Sequence, residues 1–289
     1  MREAAAALSQ MESQSIVHHT PCGDGHMVWH EWGAGKPLIL LHGGSGSWTH
    51  WVRNIPILKQ RYRVICADTP GLGSSAMPPG VFSSKHYPES MRMLAGVFAE
   101  GLDEIIGVAT HYHLCGFSMG SIAGAYLAAA QPDRVQSFTL VGASSFGIPW
   151  KGLDRRLEAM TDAMGEAERM EAQRRNLRII MTHGEADEFA GYVQLKNVER
   201  ARIRSHGLPY SDTIMQALPQ VRAPLAGIWG RHDVYAQPNL DEAIPGILRT
   251  CDPDAFYAVV EDAGHWVMYE TPDAFNARLT DAIEASTCR

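Results

Sequence analysis

Short apolar runs bounded by glycine, proline or aspartate recur along the chain, at residues 37–41, 62–67, 112–115, 138–141, 225–229 and 256–260, with helical stretches between most of them. Runs of that length and continuity predict strands buried on both faces, so the pattern reads as an α/β fold: a mainly parallel sheet flanked by helices. Residues 15–17 and 27–32 predict an antiparallel lead-in pair, turning at Gly23-Asp24-Gly25. Residues 1–14 read as a loose N-terminal tail. From about Pro149 to Thr213 the rhythm changes, with Leu153, Leu157, Met160 and Met164 at helical spacing and charges in the gaps. This predicts a helical insertion between core strands, residues 149–213, dividing a core of 15–148 and 214–289. Its position over the strands' C-terminal ends predicts a lid, the alternative being a structural appendage. Met160, Met164 and Met170 would give such a lid an adaptable apolar lining.

A chain of 289 residues, 45% hydrophobic and 20% charged, can bury a sizeable core and shows neither the bias of a disordered nor of a fibrous protein. The net charge of −7 and the absence of a long Lys/Arg cluster argue against a nucleic-acid partner. Cys22, Cys66, Cys115, Cys251 and Cys288 include no C-x-x-C pair, which predicts neither a zinc knuckle nor a disulfide framework and fits a reducing compartment. The apolar start, Ala4 to Leu8, gives way to Ser9, Gln10, Glu12 and Ser13, too short a run for a signal peptide, and no stretch is long enough to span a bilayer. The expectation is a cytoplasmic protein with a small-molecule substrate, no membrane partner and an open possibility of self-association.

Gly116-Phe117-Ser118-Met119-Gly120 stands between an apolar run and a small-residue helix, the context that a G-x-S-x-G nucleophile elbow requires. A sharp turn exposes the Ser118 hydroxyl at a helix N-terminus, where the dipole favours developing negative charge. Read structurally, the same residues are a packing turn with Ser118 as helix cap. His42-Gly43-Gly44-Ser45-Gly46 follows the 37–41 run, and acyl transfer needs N–H donors aimed at an oxyanion; Gly44 and Met119 are the candidates. His42 is expected to hold its loop rather than to react. The acid is sought after the later strands: Gly142 to Ser145 contain no carboxylate, whereas Gly230-Arg231-His232-Asp233 supplies Asp233. The base is His265, singled out among 13 histidines because it follows the nucleophile and Asp233 in a loop right after a core run. No metal site is expected: His111 and His113 alternate on a strand, with no carboxylate or cysteine to complete a ligand set. The chemistry calls for no cofactor.

On these motifs, and on Asp68-Thr69-Pro70-Gly71-Leu72-Gly73-Ser74-Ser75, the chain resembles the α/β-hydrolase superfamily across roughly residues 25–286. The resemblance implies the fold and a Ser118, Asp233, His265 triad, and leaves the substrate open. Haloalkane dehalogenases and epoxide hydrolases use an aspartate nucleophile, which Ser118 is not; haloperoxidase-like members remain compatible. His42-Gly43-Gly44, Arg53-Asn54, Ser118-Met119-Gly120 and Gly264-His265-Trp266 are similar to the meta-cleavage product hydrolases, which break carbon–carbon bonds. That family usually has asparagine where this chain has Phe117 and His50. It also pairs a lid arginine with the substrate carboxylate; Arg200, Arg202 and Arg204 all offer this, Arg200 being named here although spacing does not separate them from one another or from solvated helix charge. Trp266 would wall the pocket or pack the core. The leading expectation is hydrolysis of a small ester or lactone through an acyl-serine; carbon–carbon hydrolysis of a dienol-keto acid is the alternative, and a ligand receptor of the same fold the reading of another class.

Overall fold

A computed structural model of the chain describes residues 1–83, 85–161 and 163–287. Among them eight strands form one sheet: β1 (Ile16–Cys22), β2 (Gly25–Trp32), β3 (Lys36–Leu41), β4 (Tyr62–Ala67), β5 (Tyr112–Phe117), β6 (Val135–Val141), β7 (Leu225–Gly230) and β8 (Phe256–Val260). Their order across the sheet is β1-β2-β4-β3-β5-β6-β7-β8. The β1–β2 and β2–β4 pairs are antiparallel and the rest parallel. The expected α/β-hydrolase fold is therefore present, and the lead-in hairpin is longer than the alternation at 15–17 foretold because β1 runs on to Cys22.

Strand side chains alternate between faces, and the alternation divides the core. Ile39, Leu41, Ile65, Leu114 and Leu140 point toward α3 (Tyr87–Ile106) and α4 (Met119–Ala130), joining Leu94, Phe98 and Leu127 in one buried cluster. Leu38, Leu40, Val64, Cys115 and Ile228 point the other way, to Phe275, Leu279 and Ile283 of α9 (Pro272–Thr287). Two short helices, α2 (Ile55–Leu58) and α8 (Val267–Glu270), complete that second layer, and α7 (Ala243–Cys251) precedes β8. Because every residue of β5 and β7 is buried, the loops at their C-terminal ends are held by strands that cannot shift without opening the core.

Two sequence expectations are corrected. The tail 1–14 is instead a helix, α1 (Arg2–Ser13). Its alanines favour helix, Ala4 is buried, Leu8 and Met11 pack on the second cluster, and the Met11 carbonyl accepts the Trp32 indole N–H at 3.0 Å. Conversely, 153–161 contains no helix although the apolar spacing suggests one. Leu157 is 45% exposed, so the periodic residues find no face to bury, and propensity alone does not hold a short helix. Regular structure starts at α5 (Glu166–Ile180), where the Glu168 carboxylate accepts the Gly165 N–H at 2.9 Å, and continues in α6 (Glu188–Arg200), capped by the Asp187 carboxylate on the Ala190 N–H at 2.7 Å. Three short 3₁₀ turns, Leu208–Tyr210, Thr213–Gln216 and Leu218–Gln220, lead back to β7. Among the described residues no helix is long and apolar enough to cross a membrane. Cys22, Cys66, Cys115 and Cys251 are free thiols; Cys288 lies outside the described residues.

The β5–α4 turn depends on glycine at two points. A Cβ on Gly120 would lie 2.6 Å from the His42 carbonyl oxygen and nearer still to that of Leu41, and one on Gly116 would lie 2.6 Å from the Ser121 nitrogen. These obstacles are backbone and cannot rotate away. Gly120→Ala is expected to cost about 4 kcal/mol and to lower the melting temperature by roughly 10 °C. An unchanged thermal melt would mean that α4 can back away from the β3 loop.

Candidate active site

Ser118 sits between β5 and α4 with φ 50° and ψ −116°, a left-handed conformation unusual for a non-glycine residue. The strain is held by hydrogen bonds on both sides: the Ser118 N–H donates to the Val141 carbonyl at 2.8 Å, and the Ser121 hydroxyl bridges to the Gly116 carbonyl and accepts the Val141 N–H. Strand β6 thus clamps the turn. Ser118 itself is partly exposed while its neighbours Phe117 and Met119 are buried.

The loops after β7 and β8 are zipped together by backbone bonds, Arg231 N–H to the Val260 carbonyl at 2.8 Å and His232 N–H to the Ala263 carbonyl at 2.9 Å. Strand adjacency thereby brings Asp233 against His265, with Nδ1 2.8 Å from Oδ2 and both side chains essentially fully buried. The other carboxylate oxygen, Oδ1, accepts the Tyr235 N–H at 2.9 Å. An aspartate acceptor on Nδ1 fixes the imidazole proton there and leaves Nε2 with a lone pair. Phe117 and Tyr235 hold the ring from two sides, at 4.9 and 4.7 Å between centroids. Gly142, at φ 53°, lies so close that a Cβ would stand 3.0 Å from His265 Nδ1 and 3.2 Å from Asp233 Oδ2.

Opposite lies the loop after β3. His42 Nε2 accepts the Thr69 N–H at 3.0 Å, and its Nδ1–H donates to the Gly43 carbonyl at 2.7 Å, so this ring braces the loop. Burial pushes its pKa down to about 4. Asp68 braces the far side, accepting the Trp48 and Ser74 N–H groups, both at 2.8 Å; burial raises its carboxyl to about 6 despite those bonds. Gly43 packs on the elbow, its notional Cβ 3.2 Å from that of Ser118. Gly44 faces Ser205, whose hydroxyl would be 3.1 Å from a Cβ there.

His50 is buried in this loop. Its Nδ1 accepts the Gly43 N–H at 3.3 Å and its Nε2–H donates to Gln194 Oε1 at 3.0 Å, while the Gln194 amide N–H reaches the Ser45 carbonyl at 3.1 Å. Burial, reinforced by neighbouring His42, drives His50 down to about 3 and keeps it neutral. Trp266 is fully buried, its indole N–H donating to the His50 carbonyl at 3.1 Å and its ring stacked on Tyr269 at 4.2 Å. Arg53 and Asn54 tie this region to the C-terminal layer: Arg53 reaches Asp187 and the Tyr269 carbonyl, and Asn54 reaches the Met268 carbonyl and Asn276. Arg200 stands exposed at the end of α6. Arg202 is engaged by the Ser75 carbonyl through its guanidinium and by the Gly71 carbonyl through its N–H, and Arg204 is exposed.

Three neighbours escaped the sequence reading. Tyr235 follows Asp233 by two residues and stacks beneath Trp150, whose indole N–H holds the Val234 carbonyl at 2.7 Å; Trp150 in turn stacks on Tyr210 at 4.4 Å. An aspartate binding the N–H two residues on is a turn signal that could have flagged Tyr235. Gln194 and Ser205 approach from about 150 residues away, and no local pattern announces them.

The sequence profile described as the Alpha/beta hydrolase family matches residues 38–278. Among curated relatives, a 2-hydroxy-6-oxononadienedioate/2-hydroxy-6-oxononatrienedioate hydrolase of Comamonas testosteroni is 27% identical over 268 residues, 86% of this chain and 87% of that protein. A 2-hydroxy-6-oxo-6-phenylhexa-2,4-dienoate hydrolase of Burkholderia cepacia is 26% identical with the same coverage of 86% and 87%. Among solved structures, a putative aryl esterase from Burkholderia cenocepacia superposes with a TM-score of 0.71 at 22% identity, covering 95% of this chain and all of that one. A carboxylesterase from Bacillus subtilis does so with 0.70 at 19%, covering 98% and 97%. At these identities the structural likeness speaks for the fold.

Proposed function

The chain belongs to the alpha/beta hydrolase family, and from that premise we propose that it is a serine hydrolase that cleaves a small carboxylic ester or lactone through an acyl intermediate on Ser118. The observation that carries the reading is the buried Asp233–His265 pair at 2.8 Å, whose imidazole packs 4.9 Å from the ring of Phe117, the residue just before the strained, partly exposed Ser118. His265 Nε2 takes the Ser118 proton as the hydroxyl attacks the carbonyl, and Asp233 stabilises the imidazolium. The oxyanion is met by the Gly44 and Met119 N–H groups; Met119 opens α4, so its N–H has no acceptor within the helix. His265 then protonates the departing alcohol and activates the water that releases the acid.

Residues 149–213 act as a lid over this chemistry, pinned to the β3 loop by Gln194 on Ser45 and by Asn197 Oδ1, which accepts the Ser47 and Thr49 hydroxyls at 2.7 and 3.2 Å. Ester cleavage is favoured because His50 and Ser205, the polar side chains facing Gly43 and Gly44 in the loop after β3, are neutral. His50 is uncharged and spent on Gly43 and Gln194, Ser205 faces Gly44, and the Arg202 guanidinium is engaged by the Ser75 carbonyl. A keto acid would want a guanidinium for its carboxylate; a neutral acyl group does not. The second reading, carbon–carbon hydrolysis of a dienol-keto acid, is favoured by the names of the relatives at 27% and 26% identity.

Steady-state kinetics with p-nitrophenyl butyrate and with 2-hydroxy-6-oxo-6-phenylhexa-2,4-dienoate separate the two. The expected result is a kcat/KM for the ester that exceeds that for the keto acid by about 10²-fold or more, within the range enzymes of this kind span. The reverse preference would establish the second reading. Turnover of neither, with a ligand-induced rise in melting temperature, would favour a receptor.

A further inference from the structure

One cavity among the described residues is lined by none of Ser118, Asp233 and His265. It occupies about 670 Å³ on the far side of the Asp233 loop, a volume suited to a small organic molecule. Its wall carries five cationic side chains, Lys151, Arg155, Arg156, Arg175 and Arg178, against two carboxylates, Asp154 and Glu158. That excess of positive charge stands out in a chain of net charge −7. The carboxylates are already answered: Arg175 grips Glu158 through two bonds of 2.7 and 2.9 Å, and Lys151 lies 3.8 Å from Asp154. Arg178 is turned to Glu185, outside the wall, at 2.9 Å. Arg155 and Arg156 pair with no carboxylate among the described residues and stay exposed to the cavity mouth.

Leu153, Ile179 and Val234 supply apolar surface to the same wall. A wall of this composition suits an anion with an apolar body rather than a bare inorganic one, because guanidinium forks take the charged end while the aliphatic side chains cover the rest. The wall nearest the triad is formed by His232 and Val234, the residues flanking Asp233. His232 is backed by the face-to-face ring of His183, 3.5 Å away, and Val234 is fastened by the Trp150 indole. The Asp233 carboxylate points away from this wall, toward His265.

We propose that this cavity is a second binding site, separate from Ser118, for a small organic carboxylate whose charged group is held by Arg155 and Arg156. The site requires no hydrolytic chemistry and stands whether the substrate is an ester or a keto acid. Its test is calorimetric titration of the full chain carrying Ser118→Ala with 1-naphthoate, with uncharged 1-naphthamide, and with inorganic phosphate as competitor. Saturable binding of naphthoate is expected, with naphthamide at least about tenfold weaker and Kd raised by about tenfold or more in the double variant Arg155→Gln/Arg156→Gln. Both arginines are exposed, so the double variant should keep the parent melting temperature and, with Ser118 restored, its ester hydrolysis. Undiminished naphthoate binding by the double variant, or no saturable binding by the parent, overturns the site. Displacement by phosphate at equal concentration overturns the carboxylate class.

Discussion

Ser118→Ala is expected to lower kcat for a p-nitrophenyl ester by at least about 10³-fold, leaving KM within a few-fold. The hydroxyl forms a bond only as the transition state is approached, so its loss falls on turnover and hardly on ground-state binding. What the glycine loop and the Met119 amide do for the oxyanion would survive and supply a residual rate above water. The substitution removes one atom from a partly exposed position and leaves φ 50° to an alanine, so the melting temperature should change little. A stable Ser118→Ala protein that kept more than about a tenth of the parent rate would sink the acyl-serine mechanism, since no loss that small is compatible with removal of the nucleophile. Asp233→Asn offers an independent arm. With Tyr235 N–H fixed on one side-chain atom, an amide facing Nδ1 would favour the wrong tautomer of His265, and a comparable loss of kcat without loss of fold is expected.

The parts of this arrangement that were legible in the sequence are those that follow from chain order and strand adjacency. Continuous apolar runs identified the parallel strands, and because β7 and β8 are neighbours, a carboxylate just after one and an imidazole just after the other come together by geometry. Gly116 and Gly120 were readable because backbone approaches from fixed directions at a strand-to-helix turn. The helix of residues 2–13 was missed because its stability comes from docking Leu8 and Met11 on a surface assembled by distant segments. The spacing from Leu153 to Met164 misled for the opposite reason: a helical period exists there without a partner face. The same holds within the site. His50 was visible as a departure from the asparagine of the resembling family, but its neutral bridge to Gln194 depends on how α6 crosses the β3 loop, and local sequence says nothing about that crossing.

Acid should destabilise this protein above the pH range in which ordinary carboxylates titrate. His30, His42, His50 and His113 are buried, and burial lowers them to about 4, 4, 3 and 4. In the unfolded chain each returns to about 6.5. Between pH 6.5 and 4 the unfolded state therefore binds more protons than the folded one, and stability falls as the pH is lowered through that window. Each histidine contributes about 1.3 kcal/mol of that loss between pH 7 and pH 5.5, so four give roughly 5 kcal/mol, comparable with the whole stability of many domains. Asp68 works in the opposite direction: its folded carboxyl, raised to about 6, takes up a proton before the unfolded one, which returns somewhat under 1 kcal/mol over the same interval. Glu31 is silent here. Burial would raise its carboxyl, but hydrogen bonds from Arg63 and His18 outweigh that and hold it below the usual range, so its contribution is present above the unfolded value and is lost only at lower pH. The histidines win, and the urea midpoint followed by tryptophan fluorescence should drop steeply from pH 7 to pH 5.5 while remaining nearly level from pH 7 to pH 8. His113 tests the attribution, since it lies on β5 at the end away from Ser118, its ring hydrogen-bonded among the described residues only to the Ser137 hydroxyl at 2.8 Å. His113→Gln should lower stability at pH 7 yet remove about a quarter of the pH dependence, one proton in four. A midpoint that does not move between pH 7 and pH 5.5 would mean that these rings find protons, or water, in the folded state.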